Sequence, residues 1–250
     1  MSNLVIKSGN LKWLKKQQSN TVDLVYIDPP FNTGKSQQRG ELSYQDSFDN
    51  FLRFIEPRLR EIHRILKQNG TLYVHLDYRE VHYVKLLLDQ IFQRENFINE
   101  IIWAYDYGGR PKNKWPAKHD NILMYAKNKN NYTFNYEKLD RIPYMALGLV
   151  GPEKAKRGKT PTDCWWNTIV PTNGKEKTGY PTQKPLPIIR RIITASSNPG
   201  DLVVDCFAGS GTTGMACLEL NRKFILVDKN PQAITIMKKR FAGYSVKFKE

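Results

Sequence analysis

Two short segments of this 250-residue chain carry groups that could do chemistry, and each directly follows an apolar run. Asp28-Pro29-Pro30-Phe31 follows Asp23-Leu24-Val25-Tyr26-Ile27, and Phe207-Ala208-Gly209-Ser210-Gly211 follows Leu202-Val203-Val204-Asp205. Each run reads as a buried strand. The first delivers a carboxylate and, at Pro29, a carbonyl made rigid by the proline after it. The second feeds a glycine loop that opens a helix at Thr212. In open α/β sheets ligands bind outside the carboxyl ends of the strands, so segments far apart in sequence can face one crevice. Together they point to a small-molecule cofactor and a planar, amino-bearing substrate.

The intervening sequence supplies elements able to hold these ends. Apolar residues recur at helical spacing from Phe51 to Leu66, with Asn69-Gly70 as the stop, and Thr71 to Leu76 reads as a strand. Tyr83 to Phe92 reads as a helix, and Phe97 to Trp103 and Asn121 to Ala126 as strands able to pair. This is the β-α-β-α-β rhythm of a doubly wound α/β sheet. The rhythm stops after Lys127, and 128–179 reads as an insertion rich in Asn, Lys, Gly, Pro and Tyr. It resumes with the apolar stretch Leu186 to Ile193, the strand 202–205, a helix from Thr212 to Leu220, a strand from Phe224 to Val227 and a helix from Pro231, capped by Asn230. The expected organisation is one domain in two halves, 1–127 and 180–250, around the insertion.

A third segment, Tyr180-Pro181-Thr182-Gln183-Lys184-Pro185, stands just upstream of the glycine loop. In this order and spacing the three segments resemble the amino-group DNA methyltransferases that use S-adenosylmethionine, of the permuted β group in which the catalytic motif precedes the cofactor motif. The resemblance covers roughly residues 4 to 128 and 180 to 242 and leaves the middle unmatched. It implies a Rossmann-like, mostly parallel sheet in circularly permuted order, with a basic target-recognition insertion. It also implies site-specific transfer of a methyl group to adenine N6 in duplex DNA. Cytosine N4 is the runner-up, an RNA or protein-glutamine amino group a third option, and a DNA-binding regulator without turnover the alternative of another class. Three positions depart from the group's usual residues: Tyr180 stands for a common His, Asp228 for Glu, and Gly9-Asn10 for Gly-Asp.

An exocyclic amino nitrogen is a poor nucleophile because its lone pair is delocalised into the ring, so acceptors must hold its protons and favour a tetrahedral nitrogen. Asp28 and the Pro29 carbonyl supply them, Pro30 fixes the carbonyl, and Phe31 offers a face on which an extruded base can stack. The glycine loop is a close-approach device. The resemblance implies cofactor contacts for Asp28, Thr182, Lys184, Asp205, Phe207, Ala208, Gly209, Ser210, Gly211 and Thr212, with Asn10 at the adenine end. Asp228 is placed to accept ribose hydroxyls, or else to cap the helix from Pro231. Lys184 suits the cofactor carboxylate, or else a DNA phosphate.

The formal net charge is +15, as expected of a protein with a polyanionic partner. Residues 106 to 191 hold 17 Lys/Arg against 7 Asp/Glu, so most of the excess lies in one region. Lys35 and Arg39 in the polar loop 32–46, then Arg110, Lys112, Lys114, Lys118, Lys156 and Arg157, interleaved with Tyr105, Tyr107, Trp115 and Trp165-Trp166, form the expected DNA-facing surface. Cys164, Cys206 and Cys217 are odd in number with no CxxC pair, against a disulfide framework or structural zinc. None follows a proline, where cytosine-C5 methyltransferases place their nucleophile. The four histidines lack metal-ligand spacing, so no metal is expected. With no signal-peptide pattern and no apolar span, the cytoplasm is the expected location and a membrane is not expected. The resemblance adds a cognate restriction endonuclease as an expected partner; dimers are frequent in the group, and this chain neither requires nor excludes one.

Overall fold

The computed structural model describes residues 3–39, 42–171, 173–174 and 176–250, with the side chains of 36–39 and 42–45 left undescribed. The elements, in order, are β1 (Asn3–Lys7), α1 (Asn10–Leu14), β2 (Val22–Ile27), β3 (Lys35–Arg39), β4 (Leu42–Asp46), α2 (Phe51–Ile65), β5 (Leu66–Leu76), α3 (Val81–Phe92), β6 (Phe97–Ala104) and β7 (His119–Ala126). Then follow α4 (Pro152–Arg157), β8 (Cys164–Trp166), α5 (Leu186–Ser196), β9 (Leu202–Asp205), α6 (Thr212–Glu219), β10 (Lys223–Asp228), α7 (Pro231–Arg240) and β11 (Val246–Lys249).

Nine of the strands form one sheet in the order β11-β1-β10-β9-β2-β5-β7-β6-β8. All its pairings are parallel except those of β7, which runs antiparallel to both neighbours. The two halves of the chain meet where β2 pairs with β9, Val25 opposite Val204. Three carboxylates therefore stand at the carboxyl ends of three neighbouring strands: Asp228 on β10, Asp205 on β9 and Asp28 directly after β2. The crevice rule drawn from the sequence is met here by strand order, not by proximity in sequence.

Side-chain alternation divides β2 between two apolar layers. Val25 and Ile27 pack with Leu14, Ile55, Leu59, Ile62 and Leu88 from α1, α2 and α3. Leu24 and Tyr26 pack on the other face with Ile189, Ile193, Ala216 and Met237 from α5, α6 and α7. The amphipathic α2 starts where Asn50 accepts the Arg53 N–H at 2.9 Å, and Asn230 caps α7 by accepting the Gln232 N–H at 2.9 Å.

The structure departs from the sequence expectation in four places. Strand β5 begins at Leu66, and Asn69-Gly70 is a bulge inside it, with the register against β2 shifting between Val22 and Leu24. Strands β1 and β11, not expected from the sequence, pair with each other, β11 forming the edge of the sheet and β1 lying between it and β10. The polar segment 32–46 contains the antiparallel pair β3-β4. Within the insertion, α4 is a short exposed helix and β8 adds to the sheet edge beside β6.

Where α6 crosses β10, a Cβ on Gly214 would lie 2.7 Å from Phe241 Cζ and 2.8 Å from Leu226 Cδ1, and both of those side chains are buried. Gly214→Val should therefore overpack this seam and cost about 1–3 kcal/mol. A lowered midpoint in urea unfolding, with cooperativity unchanged, is the expected result; an unaltered midpoint would contradict the packing.

Candidate functional site

A cavity of about 590 Å³ opens at the carboxyl ends of β2, β9 and β10 and is lined by all three stretches singled out from the sequence. Asp28, Pro29, Pro30 and Phe31 form one side, Phe207 to Ser210 with Asp205, Thr212 and Asp228 another, and Asn10, Thr182 and Lys184 close it. Gly211 alone of the loop residues is not in the lining. Its φ of +78° turns the chain into α6, and a Cβ there would meet Met237 Cγ at 2.9 Å.

Asp28 accepts a hydrogen bond from the Lys184 ammonium on Oδ2 at 2.6 Å. Its other oxygen, Oδ1, is buried with no hydrogen-bond partner among the described residues. The Lys184 Nζ also lies over the Phe31 ring, 4.8 Å from the centroid. The sequence suggests a cofactor carboxylate or a phosphate as this lysine's partner; in the structure its partner is the Asp28 carboxylate, 156 residues away.

The glycine loop is held from below by carboxylates. Asp205 accepts the Phe207 N–H on Oδ1 at 3.0 Å and the Thr213 hydroxyl on Oδ2 at 2.6 Å. Asp228 accepts the Gly209 N–H at 2.8 Å and the Asn230 N–H at 2.8 Å. The cap of α7 is Asn230, so Asp228 instead ties the glycine loop to the end of β10. Burial pushes the Asp205 carboxyl up to about 7 and raises that of Asp228.

That shift has a consequence for stability. A folded-state pKa near 7 means that the native protein keeps a proton on Asp205 which the unfolded chain releases from about pH 4 upward. The stabilisation is complete below the unfolded value and is lost as pH rises through about 7. Asp205→Asn should flatten the decline of denaturant stability over this window relative to the unaltered chain. Identical slopes would contradict the shift.

Several residues at the site carry no motif signal. Arg58 on α2 donates from Nε to Asn10 Oδ1 at 2.8 Å and stacks over the Phe54 ring, 3.8 Å from its centroid. Asn10 in turn donates to the Cys206 carbonyl at 3.1 Å, so α1, α2 and the end of β9 are fastened together. Arg240, at the end of α7, donates to the Ser210 carbonyl at 3.0 Å and to the Thr212 hydroxyl at 3.0 Å; burial lowers its pKa to about 10. Asp46 is almost completely buried and accepts the Asn32 N–H at 2.7 Å and the Thr33 hydroxyl at 2.6 Å, fixing the chain that leaves Phe31.

The basic residues expected to face DNA lie outside the cavity lining. Residues 106 to 115, with Arg110, Lys112 and Lys114, are exposed, and Arg110 pairs with Asp106 at 2.7 Å. Lys118 donates to the carbonyls of Tyr107 and Gly108 at 2.7 and 2.8 Å, which folds this loop on itself. Lys156 and Arg157 are exposed at the end of α4, and Lys35 is exposed at the start of β3; the Arg39 side chain lies outside the described residues. Trp115 and Trp166 are 94% and 81% exposed. Among the described residues no cluster of ligating side chains suits a metal ion, and no helix is long and apolar enough to cross a membrane.

The sheet order and the ligand crevice at its carboxyl ends are those of a Rossmann-like α/β enzyme. The chain belongs to the DNA methylase family of the N6/N4 type, whose pattern matches residues 22–239. It is 35% identical over 240 residues to the type II methyltransferase M.HpaI of Haemophilus parainfluenzae, covering 96% of this chain and 74% of that one. It is 32% identical to the DNA adenine methyltransferase YhdJ of Escherichia coli K12, covering 92% of this chain and 79% of the relative. The fold is also that of the M1.HpyAVI–SAM complex, with a TM-score of 0.67 at 24% identity over 95% of this chain and 98% of the other.

Proposed function

We propose that this DNA methyltransferase transfers a methyl group from S-adenosylmethionine to the N6 amino group of adenine in duplex DNA, by direct transfer to a base extruded from the helix. The observation that carries the reading is Oδ1 of Asp28, a buried acceptor without a partner among the described residues, on the wall of the cavity that the glycine loop also lines. A buried acceptor left unsatisfied is costly and calls for a donor. An exocyclic N–H is such a donor.

The residues suit the cofactor. The cavity's size lies within the range of small-molecule sites, roughly 300–1,000 Å³, and the carboxyl groups of Asp205 and Asp228 offer acceptors to a hydroxyl-bearing ligand. Asp228 would take the ribose hydroxyls on its free lone pairs, Asn10 the adenine end, and Asp205 with Phe207 to Thr212 and Thr182 the remainder. When bound, the cofactor supplies an electrophilic methyl group.

The chain's own part is to prepare the nucleophile. Asp28 Oδ1 accepts one amino proton and the Pro29 carbonyl the other, which draws the nitrogen lone pair out of conjugation. Lys184 keeps the carboxylate oriented through Oδ2, and Asp28 receives the proton the nitrogen sheds. Phe31 stacks the base and keeps water from it. The exposed cations of the 106–118 loop and of α4 follow the phosphates, with Trp115 and Trp166 available to bases. The adenine assignment draws on Asp28 itself and on the adenine enzyme among the relatives. A cognate endonuclease partner and a cytoplasmic setting belong to the same reading, in line with the type II relatives.

Base analogues test it. Substrate duplexes in which 2-aminopurine replaces adenine, moving the amino group from C6 to C2, should accept no methyl group, whereas removing the cytosine amino group should leave transfer intact. The reverse pattern would assign cytosine N4.

A further inference from the structure

Behind Phe31 runs a polar chain that packing of an apolar core does not require. The Tyr26 hydroxyl lies 2.9 Å from Nδ1 of His75, and Nε2 of His75 lies 3.0 Å from Oδ2 of Asp120. Tyr105 donates its hydroxyl to the other oxygen of Asp120 at 2.9 Å. Tyr26, His75 and Asp120 are buried, His75 completely. With Nε2–H donated to the carboxylate, Nδ1 accepts from Tyr26, and every ring nitrogen of a neutral imidazole is satisfied. Burial alone would raise the Asp120 carboxyl, yet the hydrogen bonds it accepts from His75 and Tyr105 bring it below its ordinary value. Burial keeps Tyr26 protonated and so a donor.

The imidazole also serves as an aromatic support. It stacks on the Phe31 ring with centroids 5.9 Å apart and planes at 29°, and Trp103 meets it edge-on at 5.5 Å. The chain crosses the sheet from β2 through β5 and β7 to the end of β6. At one end Tyr26 lines the cavity two residues before Asp28. At the other, Tyr105 opens the basic loop, whose base is closed by the Tyr105 N–H donating to the Lys118 carbonyl at 2.9 Å. Trp103 donates its indole N–H to the Asn167 carbonyl at 2.7 Å, fastening the insertion to the same strand. Apolar residues of like volume would fill this space at less desolvation cost, but they would not fix the orientation of a ring.

We infer that Tyr26, His75 and Asp120 are positioning residues that hold the Phe31 ring as the platform for the extruded base, and that Tyr105 ties this platform to the basic 106–118 loop. The inference deepens the proposed function and rests on it.

Asp120→Asn and Tyr26→Phe test it, the second because it deletes a single oxygen should the first disturb folding. Both are compared with the unaltered chain in melting temperature, cofactor affinity and single-turnover transfer to DNA whose methylated adenine has been located. Asp120→Asn should slow transfer about tenfold, a loss of about 1.4 kcal/mol in transition-state stabilisation, with cofactor affinity unchanged, and Tyr26→Phe should slow it in the same direction with melting temperature nearly unchanged. A mismatch opposite the target adenine, which lowers the cost of extrusion, should recover more of the variant's rate than of the unaltered chain's. Unchanged transfer in both folded variants, or a loss of cofactor affinity in step with transfer, would overturn the inference while leaving the proposed function standing. An unaltered chain that binds cofactor and DNA but transfers nothing overturns both.

Discussion

Asp28→Ala should lower single-turnover methyl transfer at least about a thousandfold, the scale of removing a principal transition-state acceptor, while DNA and cofactor still bind. The substitution removes both oxygens at once: Oδ1, the acceptor without a partner, and Oδ2, which receives the Lys184 ammonium at 2.6 Å. The Lys184 side chain is only 9% exposed, so it would be left as an uncompensated charge in a dry site, a loss of about 3–5 kcal/mol where a buried pair is broken. Activity and stability therefore fall together for two separable reasons. Adding Lys184→Met removes the orphaned charge and should recover much of the melting temperature without recovering transfer. Recovery of transfer by that second substitution would mean that Asp28 acts only as the lysine's counter-ion.

Gly209→Val should weaken cofactor affinity about a hundredfold while leaving the sheet intact. The sequence alone suggests that a side chain here would occupy the ligand's space; the structure gives another reason. Gly209 has φ +49°, and a Cβ would lie 3.0 Å from Cε1 of Tyr180. A β-branched residue is strongly disfavoured in that left-handed region, so the loop must change conformation and withdraw the Gly209 N–H from Asp228, 2.8 Å away. Gly209→Ala combined with Tyr180→Ala relieves the contact but not the backbone preference, and should recover affinity in part. Calorimetric titration measures both, and unaltered affinity for Gly209→Val would contradict this account of the loop.

What could be read in the sequence was what is local. A strand end followed by Asp28-Pro29-Pro30-Phe31, a glycine loop opening a helix, and Pro231 behind its Asn230 cap each announce themselves within a few residues, because backbone restriction acts between neighbours. The insertion was legible as a loss of periodicity. Long-range partners were not legible: Lys184 reaches Asp28 only because the strand order sets β9 beside β2, and neither Arg58 nor Arg240 belongs to any motif. The strands β1 and β11 are short and paired at the sheet edge, where β11 alternates without a strongly apolar face. Strand β8 is three residues long and exists through its partner β6. His75 is one of four histidines without metal-ligand spacing; its contact with Phe31 depends on the register of β5 against β2 and β7, which the residue types do not encode.

In the proposed function, Asp28 and the glycine-loop cavity act together to methylate the exocyclic amino group of adenine in duplex DNA. The most direct test is to incubate the protein with S-adenosylmethionine carrying a labelled methyl group and duplex DNA of diverse sequence, then digest the DNA and separate the nucleosides. Label in N6-methyladenine is expected, and none with Asp28→Ala. Label absent from adenine, with cofactor binding intact, would contradict it.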